Sequence, residues 1–230
     1  MTTASTLWTP ARHPLARFLR DLASGNRPPE DGGWTRVTPW VPHVQGILSF
    51  PGRAVLAVSY DWTENQLSEL GVDGWDGAHD PRIITTLAKE GWIDTLDMLF
   101  LGAGRGDTPG GLELVSRPDL AKHHFVEHAR RGHSETQVFG TTDPSSEDMV
   151  VLSRGVGGLR EIAVRLAPEN RGKGRGTAMF EAALRSVPEN ELVAACVAPY
   201  SVAAAVCLSR VGLRHVGSIQ LFTDRPERRA

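Results

Sequence analysis

A glycine-rich basic hexapeptide, Arg171-Gly-Lys-Gly-Arg-Gly176, carries the strongest chemical signal in the chain. Glycines let the main chain approach an anion closely. The apolar pattern sets this hexapeptide between a strand ending near Leu166 and a helix starting near Thr177. A helix N-terminus adds unpaired N–H groups and the positive end of a dipole. Arg171, Lys173 and Arg175 add formal charge. The amides of Gly172, Lys173, Gly174, Arg175, Gly176 and Thr177 would then cradle a phosphate or pyrophosphate. A solvated basic turn has the same composition, and the strand-to-helix context separates the two. No Gly-Lys-Ser/Thr follows at the right spacing, so a Walker A loop is excluded.

Two other motifs are weaker. His124-Phe-Val-Glu-His128 has the spacing of an inverted zincin, and on a helix His124 and His128 share a face. A third protein ligand is not evident, so the expectation is no metal and histidines near an acceptor pocket. Gly102-Ala-Gly-Arg-Gly106 is followed by Asp107-Thr-Pro-Gly-Gly111, which breaks a helix rather than starting one. A dinucleotide fingerprint needs a helix there, so a surface loop is expected.

The elements that must position these residues follow from periodicity. Residues 13–25 read as a helix. Apolar runs at 44–50 and 54–60, joined by Pro51-Gly52, read as a hairpin. Short helices are expected at 64–70 and 81–89, a strand at 95–101 and a helix at 117–131. Farther on, the order is strands at 137–141, 149–156 and 159–166, a helix at 177–187, a strand at 192–198, a helix at 202–211 and a strand at 213–222. This describes a mixed α/β layer.

The stretch from Glu161 to Thr177, a strand, a turn containing Pro168, then Arg-Gly-x-Gly-x-Gly and a helix, strongly resembles the signature of GNAT-superfamily N-acyltransferases. Downstream, Ala198-Pro-Tyr-Ser201, an Ala-rich helix and Arg210-Val-Gly-Leu213 fit the same family. The resemblance covers residues 135–222, and the two-part layout resembles actinobacterial GNAT proteins of unassigned substrate. It implies a GNAT-like acyltransferase core at 135–230, with a mixed, mostly antiparallel sheet and flanking helices. Residues 1–134 would form an N-terminal α/β extension, or a degenerate second copy of the fold.

The resemblance also implies site residues. Backbone around Val164 and Leu166 would hydrogen-bond a pantetheine arm. Glu161 stands where many members carry a carboxylate facing the acceptor amine, so Glu161→Gln would cost about 10²–10⁴-fold in rate if it is the base. An Arg-paired strand-edge carboxylate is the other reading. The family's tyrosine acid is replaced by Leu208, and Tyr200 and Ser201 are substitutes. The donor would be acetyl-CoA or another acyl-CoA, or the phosphopantetheine of an acyl carrier protein, or an aminoacyl-tRNA. The acceptor would be a small-molecule amine. A non-catalytic CoA-binding module is the remaining alternative.

Composition bounds these readings. The 230 residues are 40% hydrophobic and 23% charged, an ordinary globular balance that excludes wholesale disorder, collagen and coiled coil. No apolar run approaches the ~20 residues of a membrane span. Residues 1–10 lack a signal-peptide pattern, and Cys196 and Cys207 read as buried reduced thiols, so a cytoplasmic monomer or homodimer is expected. The net charge of −2 divides into −7 over residues 1–149 and +5 over 150–230. A basic C-terminal part suits a phosphate compound better than a nucleic acid. Six tryptophans lie in the first 92 residues. Trp62 and Trp75, among Asp61, Asp73, Asp76 and Asp80, could frame a cationic amine.

Overall fold

The computed structural model describes residues 12–75 and 77–225. Trp8, Asp76 and the charged tail at 226–230 lie outside the described residues. In chain order the elements are α1 (Pro14–Ala23), β1 (Gly33–Val37), β2 (Gln45–Phe50), β3 (Arg53–Ala57), α2 (Glu64–Glu69), α3 (Pro81–Ala88), β4 (Ile93–Ala103) and β5 (Val115–Ser116). Then come α4 (His124–Gly132), β6 (Ser134–Gly140), β7 (Met149–Arg154), β8 (Arg160–Arg165), α5 (Arg175–Arg185), β9 (Leu192–Val197), α6 (Val202–Arg210) and β10 (Arg214–Phe222). Among these residues, no helix is long and apolar enough to cross a membrane.

The strands form one sheet in the order β1-β3-β2-β10-β4-β9-β8-β7-β6-β5. Only β1/β3 and β8/β9 are parallel; the other pairs are antiparallel. This is the mixed, mostly antiparallel sheet with flanking helices that the resemblance implies. From the N-terminal part, β4 lies at the centre, paired with β10 on one side and β9 on the other. The sheet therefore runs unbroken across residue 134.

Alternation along the strands divides the core between two faces. Val193, Ala195 and Val197 of β9 pack with Met179, Phe180 and Ala183 of α5 and Leu208 of α6. On the other face, Ala194 of β9 and Leu99 and Leu101 of β4 pack with Leu15, Ala16 and Leu19 of α1. Farther along that second face, Val126 of α4 covers Met149 and Val151 of β7.

The helix expected at 117–131 is broken in two. His123 is extended (φ −65°, ψ 138°), and its ring Nδ1 accepts from the Phe125 N–H at 3.1 Å, capping a new helix. Two short strands, β1 and β5, were not evident in the sequence. The first, Gly-Trp-Thr-Arg-Val, gives little apolar alternation, and the second is only two residues long.

Candidate functional site

The basic turn is built around a buried carboxylate. Asp148, 0% exposed, accepts from the Ala167 N–H at 2.8 Å and the Asn170 side-chain amide at 2.9 Å, and it pairs with Arg175. Gly172 and Gly174 sit at φ +74° and +76°, where other L residues are strained. Gly174 is the N-cap of α5, and no side chain caps the helix. Its first-turn amides therefore carry no side-chain cap. Arg175 is thus committed to Asp148. Arg171 and Lys173 remain exposed, with the Arg171 guanidinium donating to the Leu166 carbonyl at 3.3 Å. Asp148→Asn should loosen this turn and cost about 1.5–3 kcal/mol, the range for a hydrogen bond to a charged group. A thermal melt checks it; an unchanged Tm would show that the turn holds itself.

Beside the turn, β8 and β9 part. They pair only at Arg160/Val193 and Glu161/Ala194. Beyond Glu161 the ladder ends, and a cavity of about 320 Å³ opens between the strands, lined by Val164 and Ala198 among others. Its floor is the sheet face shared by Glu161, Cys196 and Asp97. Tyr200 and Ser201 lie on its wall, and Tyr200 is 80% exposed. Leu208, where the family carries its tyrosine, is 0% exposed inside the α5/α6 core. A hydroxyl at that place would face packed side chains.

Ionisable groups converge on the floor. Glu161 is 6% exposed, and its Oε1 lies 3.0 Å from His133 Nε2. Its Oε2 accepts from the Val156 N–H at 3.2 Å. His133 Nδ1 donates to the Ala129 carbonyl. Burial works against the charged imidazole, but Glu161 and the Ala129 bond outweigh it and raise the His133 pKa to about 9. Burial likewise opposes the Glu161 carboxylate, and His133 and the Val156 amide overcome it, holding its pKa below the usual value. Burial, followed by the negative charges of Glu161 and Asp97, pushes the Cys196 thiol up. Both cysteines are half-buried and free. Asp97 is pushed up to about 7, by burial first and then by Asp94 and Glu161.

The ion pair needs Gly155. A Cβ there would sit 1.8 Å from Glu161 Oε2 and 2.5 Å from the His133 ring. Gly155→Ala should therefore force the pair apart and destabilise the protein by about 1–3 kcal/mol, as overpacking does. Denaturant melts check this, and a neutral effect would mean the pair has room to move.

The histidine motif is divided between roles. His124 stacks on His123 at 4.2 Å between ring centroids. His128 lines the cavity, 3.8 Å from Asp94. Among the described residues, no group of three or more His, Cys, Asp or Glu is placed to hold a metal ion. Purified protein should carry well under one zinc per chain by elemental analysis; stoichiometric zinc would overturn that expectation. The expected loop starts later than Gly102: Gly102 and Ala103 extend β4, paired with Val193 and Leu192, and Gly104–Gly106 is a loop clamped to the end of α5 by Arg105 N–H to Leu184 O (2.9 Å) and Gly106 N–H to Val187 O (2.9 Å).

The described members of the acidic tryptophan cluster, Trp62, Trp75, Asp61, Asp73 and Asp80, do not line this cavity. Asp73 accepts from the Trp75 and Gly77 amides, and Asp80 caps α3 and binds Arg82. Trp62 packs on the α2/α3 cluster. Trp40 is the indole in the cavity wall. Sequence reasoning missed Asp94, Asp97 and Asp148. A signal existed for Asp97: it shares strand parity with the apolar Leu99 and Leu101, a position where an ordinary solvated carboxylate does not belong.

No family model and no curated protein matches the chain. Solved structures do. A GNAT-family acetyltransferase from Novosphingobium aromaticivorans is 16% identical, with a TM-score of 0.41, covering 58% of this chain and 66% of that one. A GCN5-related N-acetyltransferase from Kribbella flavida is 13% identical, with a TM-score of 0.39 and 62% of each chain covered. A tandem GNAT protein from the clavulanic acid biosynthesis pathway is 15% identical, with a TM-score of 0.38, covering 66% of this chain and 61% of that one. The matches span just under two thirds of those chains. The GNAT-like fold assigned to this chain stands on its own strand order, the parting of β8 from β9 and the glycine turn before α5.

Proposed function

We propose that the protein is an N-acyltransferase that moves an acyl group, acetyl in the first instance, from a pantetheine thioester to the amine of a small molecule. The observation that carries this reading is the parting of β8 and β9 directly before the uncapped N-terminus of α5. An extended pantetheine would add to the free edge of β8 at Val164 and Leu166. The pyrophosphate would rest on the amides of residues 172–177. The thioester would then reach the cavity between the strands, and the amine would approach from the face that carries Glu161 and Asp97.

The chemistry is addition and elimination at the thioester carbonyl. A main-chain N–H near Leu166 would support the oxyanion. A proton for the departing thiolate would come from Tyr200 or Ser201, or from solvent. An acyl carrier protein is the second reading of the donor, favoured by the exposed Arg171 and Lys173 at the turn. Isothermal calorimetry with acetyl-CoA, and mass spectrometry of the purified protein for bound CoA, test the proposal. Absence of binding to acetyl-CoA, with transfer seen only from an acylated carrier protein, would move the donor. Neither binding nor transfer would remove the reading.

A further inference from the structure

We propose that Asp97 holds the acceptor's ammonium group and takes its proton, and that the acceptor is an amine with an apolar body and no carboxylate of its own. This rests on the acyltransferase reading. On β4, the parity of Asp97 with Leu99 and Leu101 turns its side chain to the α1 and α4 face. The leucines are covered there, while Asp97 stands where the layer opens into the cavity. Its Oδ1 is a buried atom with no hydrogen-bond partner among the described residues.

Other titratable groups line the cavity with it: Asp94 on β4, Glu161 on β8, His128 on α4, His133 at the end of α4, Cys196 on β9 and Tyr200 after β9. Glu161 is neutralised by His133 at 3.0 Å. The Cys196 thiol is held protonated. His128 stands 3.8 Å from Asp94. Among the described residues, Asp97 is the carboxylate in the wall with no basic side chain within 4 Å. A buried charge without a partner is costly, and a ligand cation relieves that cost. Trp40, Phe125, Ile219 and Leu221 supply apolar wall for the rest of the acceptor. An acceptor carboxylate would find no Lys or Arg in this wall to receive it, and His133 is already held by Glu161.

Glu161, with its pKa held low, is a weak base. Asp97, pushed up to about 7, is suited to take a proton near neutral pH. The step balances as follows. An ammonium proton passes to the Asp97 carboxylate, and the freed lone pair attacks the thioester carbon. The C–S bond breaks, and its electron pair leaves with sulfur. The nitrogen loses a second proton and the thiolate gains one. Ammonium and thioester thus give amide, thiol and one released proton.

Two probe acceptors that differ only by a carboxylate, 2-phenylethylamine and L-phenylalanine, test this with acetyl-CoA as donor. The expected result is kcat/KM at least about tenfold higher for 2-phenylethylamine, roughly one lost charge contact. Asp97→Asn should lower kcat by about 10²–10⁴-fold and remove the rate limb near pH 7, while acetyl-CoA affinity stays within about twofold. Because its pKa is raised from 3.8 to about 7, Asp97 costs stability progressively between those values and in full above about 7, so the variant should melt no lower than wild type at pH 8. That melt establishes its fold. Equal or better use of L-phenylalanine, or a variant within threefold of the wild-type rate, would overturn the inference. Calorimetry of 2-phenylethylamine without donor separates the two readings. If wild type binds this amine and Asp97→Asn does not, the ammonium site stands even where acetyl-CoA fails to bind; no amine binding to wild type overturns it.

Discussion

Gly174→Val should weaken acetyl-CoA binding by at least a hundredfold, about 2.7 kcal/mol, in a protein that remains folded. Gly174 caps α5 at φ +76°, and a Cβ there meets nothing within 4 Å. The surrounding structure therefore has room for a side chain. The cost to the apo protein is the left-handed backbone, roughly 1–2 kcal/mol for an L residue. For a chain of this size that is a few degrees in Tm, at about 2–4 °C per kcal/mol. On the proposed acyltransferase reading, the open space is where the phosphates would approach the amides, and an isopropyl group would occupy it. Gly212 is the control. It sits at φ +88° beyond α6, also with nothing within 4 Å. Gly212→Val should carry a similar backbone penalty and leave donor affinity unchanged. Equal affinities in both variants and wild type, measured by calorimetry, would show that the turn before α5 does not bind the donor.

That turn was legible because its signal is local. Glycines, basic residues and the switch from strand to helix lie within a dozen positions of one another. The same holds for most elements after residue 134: strands and helices expected at 149–156, 159–166, 177–187, 192–198 and 202–211 appear within a few residues of those bounds. Sheet order is not local. Nothing in the run Leu-Asp-Met-Leu-Phe-Leu announces that β4 inserts between β9 and β10, and that insertion is what carries Asp97 into the cavity. The partner of Glu161 was hidden for the same reason. His133 was visible as one of several clustered histidines, but its ring meets Glu161 only because α4 ends over the sheet face and Gly155 leaves the space. Asp148 gave no sign at all, since a carboxylate in the stretch Pro-Ser-Ser-Glu-Asp reads as solvated loop.

Glu161→Gln should destabilise the protein at pH 6 by about 3–5 kcal/mol, the cost of stranding one member of a buried ion pair. At about 2–4 °C per kcal/mol, that is roughly 6–20 °C in Tm. The pH dependence fixes the origin of the loss. The His133 pKa is raised from 6.5 to about 9, so its contribution is complete below 6.5 and disappears as pH climbs through about 9. The Glu161 pKa is lowered from 4.5, so its contribution is complete above 4.5 and disappears as pH falls through its folded value. The pair is therefore at full strength between 4.5 and 6.5. The gap in Tm between wild type and Glu161→Gln should be widest there and shrink toward pH 9.5. Replacing both members with apolar residues, as in Glu161→Met with His133→Leu, should recover most of the loss, because no charge is left stranded. A gap that does not change with pH would mean that the glutamine fails for its shape rather than its charge, and the pair would then not be the element that shapes the cavity floor.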